Sequence, residues 1–240
     1  MRAVSMLEGG FESVNTYDTG FVSVGFIQFA ALTEGGGSLG AVLRRLKTAN
    51  PVAFQSDFRR FGIDVSETGL LQVAGDQEDS EGSAASARII DDKRLIAVFQ
   101  RAGERCRAFR VAQIQVAMER YFPGNDPVSL ACSQCVIVGK VADFVKSEAG
   151  MATLMDRKVN TGNIGALVAA AKAVAERIGA DSLDDLIPYE REIIGMVRYR
   201  KDYLADATLA QPAGTATSQG INSRGGSGRG KGRGGKKSHR

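Results

Sequence analysis

The chain is poor in metal ligands and in thiols, with one histidine, His239, and three cysteines, Cys106, Cys132 and Cys135, among 240 residues. A zinc site needs four ligands, and the only histidine stands in a basic C-terminal stretch, so no metal is expected; the acid/base chemistry argued below needs no organic cofactor either. Cys132-Ser-Gln-Cys135 is a single CxxC without a second pair; buried or incidental thiols are the expected reading, ahead of a metal or redox site. No run of about 18 apolar residues occurs, so no membrane span is readable. The N-terminus also lacks the basic, apolar and small-residue regions of a secretory leader. Met1 stands seven residues ahead of Glu8, which leaves room for a longer natural chain upstream. Localisation is therefore open: secreted or envelope with an upstream leader, cytoplasmic without one.

Acidic residues are missing from the last stretch, where Arg224, Arg229, Lys231, Arg233, Lys236, Lys237 and Arg240 stand among Gly and Ser. These seven account for the overall charge of +4; without them 24 basic residues face 27 acidic ones, a net of −3. The body of the protein is thus not a nucleic-acid binder on charge grounds. The tail, about 207–240, has too little apolar surface to order itself and is expected to be disordered, with at most weak polyanion binding.

Apolar periodicity of three and four dominates the remainder, so a mainly α fold is expected. The reading is a single domain over 1–206: a first lobe over about 1–73, an exposed acidic loop over 74–87, and a second lobe, helical throughout, over 88–206. Ser38 is a candidate cap for a helix over 39–48, and Asn50-Pro51 for one over 52–61. In the second lobe Leu95, Val98 and Phe99 form one apolar face, Phe109, Ala112, Ile114, Val116 and Ala117 another, and Val138, Val141 and Val145 continue it. Asn163 and Gly179 bracket an alanine-rich helix, and Pro188 opens the last one. The only strand-like stretch is Phe21–Phe29, expected as a small hairpin-like segment.

Candidate chemistry concentrates in the window from Leu7 to Phe29, where three acids, an asparagine, small hydroxyls and four glycines lie between apolar flanks. Cleaving a glycosidic bond needs one carboxyl that stays protonated and often a second that is ionised. Glu8 follows the apolar helix Ala3–Leu7, a partly desolvated position that favours the protonated form. Asp18 lies in the polar turn Tyr17-Asp-Thr-Gly20, where a carboxylate stays ionised. Glu12 is the rival acid.

This window resembles the lysozyme-like superfamily of glycoside hydrolases, in which a helix ends in a catalytic glutamate followed by a loop and a G-x-x-Q-like strand. Here the features are Glu8-Gly-Gly-Phe11 and, 20 residues beyond the glutamate, Gly25-Phe26-Ile27-Gln28. Their spacing is similar to soluble lytic transglycosylases and goose-type lysozymes. Asp18, Ser23, Gly25 and Phe29, followed by the turn Gly35–Gly37, are similar to bacterial chitosanases. Ser23 stands where those enzymes carry threonine, and the loop from Glu8 to Asp18 is shorter than theirs.

The resemblance implies a two-lobed helical fold, with Glu8 as general acid, Asp18 as general base and Ser23 helping to hold the attacking water. Asn15, Tyr17, Gln28, Asp156 and Asn160 are then candidates for contact with a polysaccharide, peptidoglycan ahead of chitosan, bound by a monomer away from any membrane. Each residue also has a structural reading. Asp18 is a possible turn-former, and Gln28 a possible partner for buried backbone. Asp156, Arg157 and Asn160 suit a capping and salt-bridge cluster, and Glu190, Arg191, Arg198 and Arg200 a solvated face.

Overall fold

The computed structural model describes residues 2–5, 9–17, 21–75 and 78–213; Glu8, Asp18 and residues 214–240 lie outside them. The chain opens with a short helix, α1 (Arg2–Ser5), whose Val4 is buried. A three-stranded antiparallel meander follows: β1 (Val14–Asn15), β2 (Ser23–Val24) and β3 (Phe29–Ala30), in that order. The stretch expected as a hairpin therefore recruits Val14–Asn15 as a third strand.

Next come α2 (Gly37–Ala49) and α3 (Pro51–Asp57), the latter capped as its sequence requires, with Asn50 Oδ1 accepting from Ala53 N at 3.0 Å. Ser38 does not cap α2. It lies inside the helix, and its hydroxyl instead accepts from Ala30 N at 3.0 Å, tying α2 to β3.

A second antiparallel sheet, β4 (Ile63–Val65), β5 (Leu71–Val73) and β6 (Ser80–Glu81), runs straight into α4 (Ser83–Asp91). The acidic loop expected over 74–87 is thus short, because its second half pairs with β5 and starts a helix. Then come α5 (Lys93–Arg105) and α6 (Arg107–Arg120). Leu95, Val98 and Phe99 are buried on α5, and Phe109, Ala112, Val116 and Ala117 on α6; Ile114 falls off that stripe and is exposed.

The region beyond is not helical throughout. Residues Pro127–Ala131 (β7) and Val136–Lys140 (β8) form a hairpin, and Val138 points outward from it rather than continuing a helical face. Short α7 (Val141–Phe144), then α8 (Glu148–Thr161), α9 (Gly165–Ile178) and α10 (Glu190–Met196) complete the fold. Asn163 Oδ1 accepts from Gly165 N at 2.9 Å, and Gly179 ends α9 in the left-handed conformation at φ 68°. Pro188 lies in a 3-10 turn just ahead of α10.

Two hydrophobic cores result, and they divide the chain elsewhere than at the acidic loop. The first is built from α1, the meander and α2 to α6; the second from β7, β8 and α7 to α10. Helices α5 and α6, expected in the second lobe, belong to the first core. Helix α8 serves both, because at 3.6 residues per turn Ala149, Ala152 and Met155 form a stripe on the first core while Leu154 faces the second. Residues 207–213, expected as the start of the tail, also pack down: Ala149 N donates to Ala210 O at 3.1 Å, and Leu209 lies against the first core.

Two carboxylates give this fold a defined acid response. At Asp64 burial raises the carboxyl pKa, but hydrogen bonds from Lys47 (2.7 Å), Val65 N (2.7 Å) and Arg59 (2.8 Å) outweigh it and hold the group below its ordinary range. At Asp206 the Thr208 hydroxyl, then Lys201, hold it at about 2 against an ordinary 3.8. A depressed folded-state value contributes stability above the unfolded value, and that contribution is lost as pH falls through the folded one. Melting temperatures are therefore expected to fall steeply between pH 4 and 2, and less steeply in Asp64→Asn. Equal slopes in the two proteins would refute this role for Asp64.

Candidate functional site

The meander hangs between α1 and the helical body, and four devices fix it. Gly10 N donates to Ser13 Oγ at 2.8 Å and Ser13 N to Gly10 O at 3.2 Å, closing a tight turn after α1. Gly25 N then donates to Ser13 O at 2.8 Å, aligning β2 on β1. Beneath the strands Phe11, Phe26 and Phe29 interlock, with ring centroids 5.0 and 5.9 Å apart.

The fourth device is Gln113 of α6, fully buried. Its Nε2 donates to Phe11 O at 3.1 Å and its Oε1 accepts from Phe26 N at 3.4 Å, so one side chain clamps both ends of the window. Two glycines make the approach possible. Gly25 adopts φ 87°, and a Cβ there would fall 2.1 Å from Gln113 Oε1. On α5, a Cβ at Gly103 would meet Phe11 O at 2.3 Å. Gln113→Leu strands a half-buried carbonyl and a buried N–H, and a buried group left unsatisfied costs about 1–3 kcal/mol. Chemical denaturation is expected to show a loss on the order of 2 kcal/mol; an unchanged midpoint would remove Gln113 from this role.

Register decides which polar residues meet. Asn15 of β1 pairs directly with Ser23 of β2, so both stand at the base of the connecting loop 16–22. That loop carries Asp18, which lies outside the described residues, and Tyr17, whose side chain is 93% exposed. Tyr17 N donates to Asn15 Oδ1 at 2.9 Å, turning the chain sharply as it leaves β1. Gln28 sits at the opposite end of the strands, in the turn 25–28. Its φ is 55°, and both its backbone N and its Nε2 bond Gly25 O, at 3.0 and 3.1 Å. It therefore builds the turn and does not join Asn15 and Ser23.

Of the two acids that competed for the proton-donor role, Glu12 is described and Glu8 is not. Glu12 is exposed and turns its carboxylate back over Gly10, where a Cβ would lie 2.3 Å from its Oε1.

Asp156 and Asn160 lie on α8, away from the meander in sequence, yet α1 packs directly on α8. Asp156 is 1% exposed, and its Oδ1 accepts from Arg200 Nε at 3.0 Å and from Nη2 at 2.5 Å. Asn160 Nδ2 donates to Asp156 O at 2.7 Å. This is an ion-pair cluster in which Asp156 is buried and only the Arg200 side reaches the surface. Glu190 is likewise not on a solvated face. Its carboxylate, 2% exposed, accepts from Lys146 N, Ser147 N and Ser147 Oγ and so pins α10 to the N-terminus of α8, where the helix dipole favours an anion. Beside it a groove of about 380 Å³ runs between Ala3 of α1 and Lys146, Glu148 and Met151 at the start of α8. None of its lining residues was a candidate site residue from sequence.

Among the described residues no group of three or more His, Cys, Asp or Glu side chains is placed to hold a metal ion. Comparison with protein-family models, with curated proteins and with solved structures finds no match to the chain.

Proposed function

We propose that the chain is a glycoside hydrolase of the lysozyme-like kind, cutting β-1,4-linked amino-sugar polymers by general acid/base catalysis between two helical lobes. The observation that carries this reading is the pairing of Asn15 with Ser23 at the foot of the loop that bears Tyr17 and Asp18. A polar pair, an ionisable carboxylate and a bare aromatic face are the groups that position a sugar and a water, and Gln113 clamps the segment that presents them. Glu8 is the proposed proton donor, Asp18 the base for the attacking water, and Ser23 the residue that helps hold that water. Tyr17 supplies a stacking surface, and Arg200, held by Asp156, a cation beside α8. If the two carboxyls leave room for a water between them, the product anomer is inverted.

Peptidoglycan stands ahead of chitosan because the Gly25–Gln28 segment resembles lysozymes more than chitosanases. The test is release of new reducing ends from purified peptidoglycan and from chitosan by the full chain. Cleavage of either polymer supports the reading and ranks the substrates; binding to the polymer without new reducing ends makes the protein a wall-binding one. The seven basic residues of the tail give it an accessory attraction for polyanions. Deleting residues 221–240 is expected to weaken retention on an anionic resin and to leave glycan cleavage unchanged.

A further inference from the structure

The β7–β8 hairpin ends in the Cys132-Ser-Gln-Cys135 motif, which plays no part in the proposed chemistry. Its strands pair in register up to Ala131 opposite Val136, so the next opposed pair is Cys132 and Cys135. A 2.9 Å hydrogen bond from Cys132 N to Cys135 O confirms that the two backbones still face each other there. Opposed residues joined in this way have Cα atoms about 5.5 Å apart, inside the span of roughly 4.4–6.8 Å that a disulfide bridges. Side chains alternate along a strand. Val128, Leu130 and Ile137 point inward, so both cysteines share that inner face and pack, half-buried, against the second core. Both are thiols in this structure.

We propose that Cys132 and Cys135 are a dithiol/disulfide pair, closed by exchange with a low-molecular-weight disulfide. One thiolate attacks the small disulfide and expels one small thiol. The second cysteine then attacks the protein sulfur of that mixed disulfide and expels the other. The chain loses two hydrogens, an S–S bond forms across the hairpin tip, and the small disulfide is reduced to two thiols. Cys106 does not compete: it is buried in the first core, where its Sγ accepts from Phe109 N at 3.4 Å as the cap of α6.

The surroundings tune the exchange. Burial first, then the neighbouring Cys135 thiol and the Glu176 carboxylate of α9, push the Cys132 thiol up, with Lys172 partly offsetting them. Cys135 Sγ also donates to Ala180 O at 3.8 Å, a weak bond that closure releases. Exchange is consequently favoured at alkaline pH, where thiolate is present.

The experiment treats the folded full-length protein with oxidised glutathione at alkaline pH, then quenches, alkylates under denaturing conditions and maps peptides by mass. The expected result is a peptide spanning residues 132–135 that is lighter by two hydrogens, refuses alkylation and regains both thiols on reduction, while Cys106 stays alkylatable. Cys135→Ser, lacking the resolving thiol, is expected to retain glutathione on Cys132. A wild-type protein that keeps stable glutathione adducts at 132 or 135, or that keeps both thiols alkylatable, overturns the proposal. These readouts do not depend on glycan cleavage.

Discussion

Replacing Glu8 by Gln is expected to slow reducing-end release by about 10²–10⁴-fold, the range that a positioned proton donor contributes, while leaving the circular dichroism spectrum and melting temperature in place. The amide is nearly isosteric with the acid but has no proton to give to the leaving oxygen. Glu12→Gln is the matched control. Glu12 is exposed and its carboxylate folds back on Gly10, whereas a general acid needs a carboxyl that is partly desolvated. Glu12→Gln should therefore cut at close to the wild-type rate. Unimpaired cleavage by Glu8→Gln would sink the assignment, and the reverse ranking of the two variants would move the acid to Glu12.

The second large effect is on stability. Arg200→Met leaves the Asp156 carboxylate, 1% exposed, without its guanidinium. Breaking a buried pair from one side typically costs about 3–5 kcal/mol, and a chain of this size loses about 2–4 °C of melting temperature per kcal/mol. A drop on the order of 10 °C at neutral pH is expected. Adding Asp156→Leu to Arg200→Met removes both charges and should recover much of the loss, since a buried pair exchanged for apolar groups is often neutral. A single variant that melts with wild type at neutral pH would show that the pair holds nothing together.

The sequence made some of this visible for local reasons. Asn50-Pro51 and Gly179 mark helix ends through their own backbone and side-chain preferences, and the structure places both where those preferences act. The strands β4 to β8 escaped notice because two to five residues are too few for alternation to stand out, and Val136 and Val138 are exposed in spite of being apolar. The split into two cores was equally invisible, since the short Pro123–Pro127 stretch between α6 and β7 reads as an ordinary helix end and the division is set by contacts distant in sequence. At the site, the window from Leu7 to Phe29 stood out by composition, but the partners that secure it did not. Gln113 had one legible signal: it is the polar member of an otherwise apolar stripe Phe109, Ala112, Gln113, Val116 and Ala117. Glu190 looked like a surface charge because its burial depends on how α10 returns to α8, whereas Arg200 is exposed as expected and the buried carboxylate it meets, Asp156, was not foreseen.

That return gives α8 a mechanical role. With Ala149, Ala152 and Met155 sunk in one core and Leu154 in the other, the helix is a party wall: neither half of the molecule has a complete interior without it. Slow amide exchange along α8 should therefore report global opening only, with one set of protection factors shared by both halves. Swinging the halves apart would expose both interiors at once.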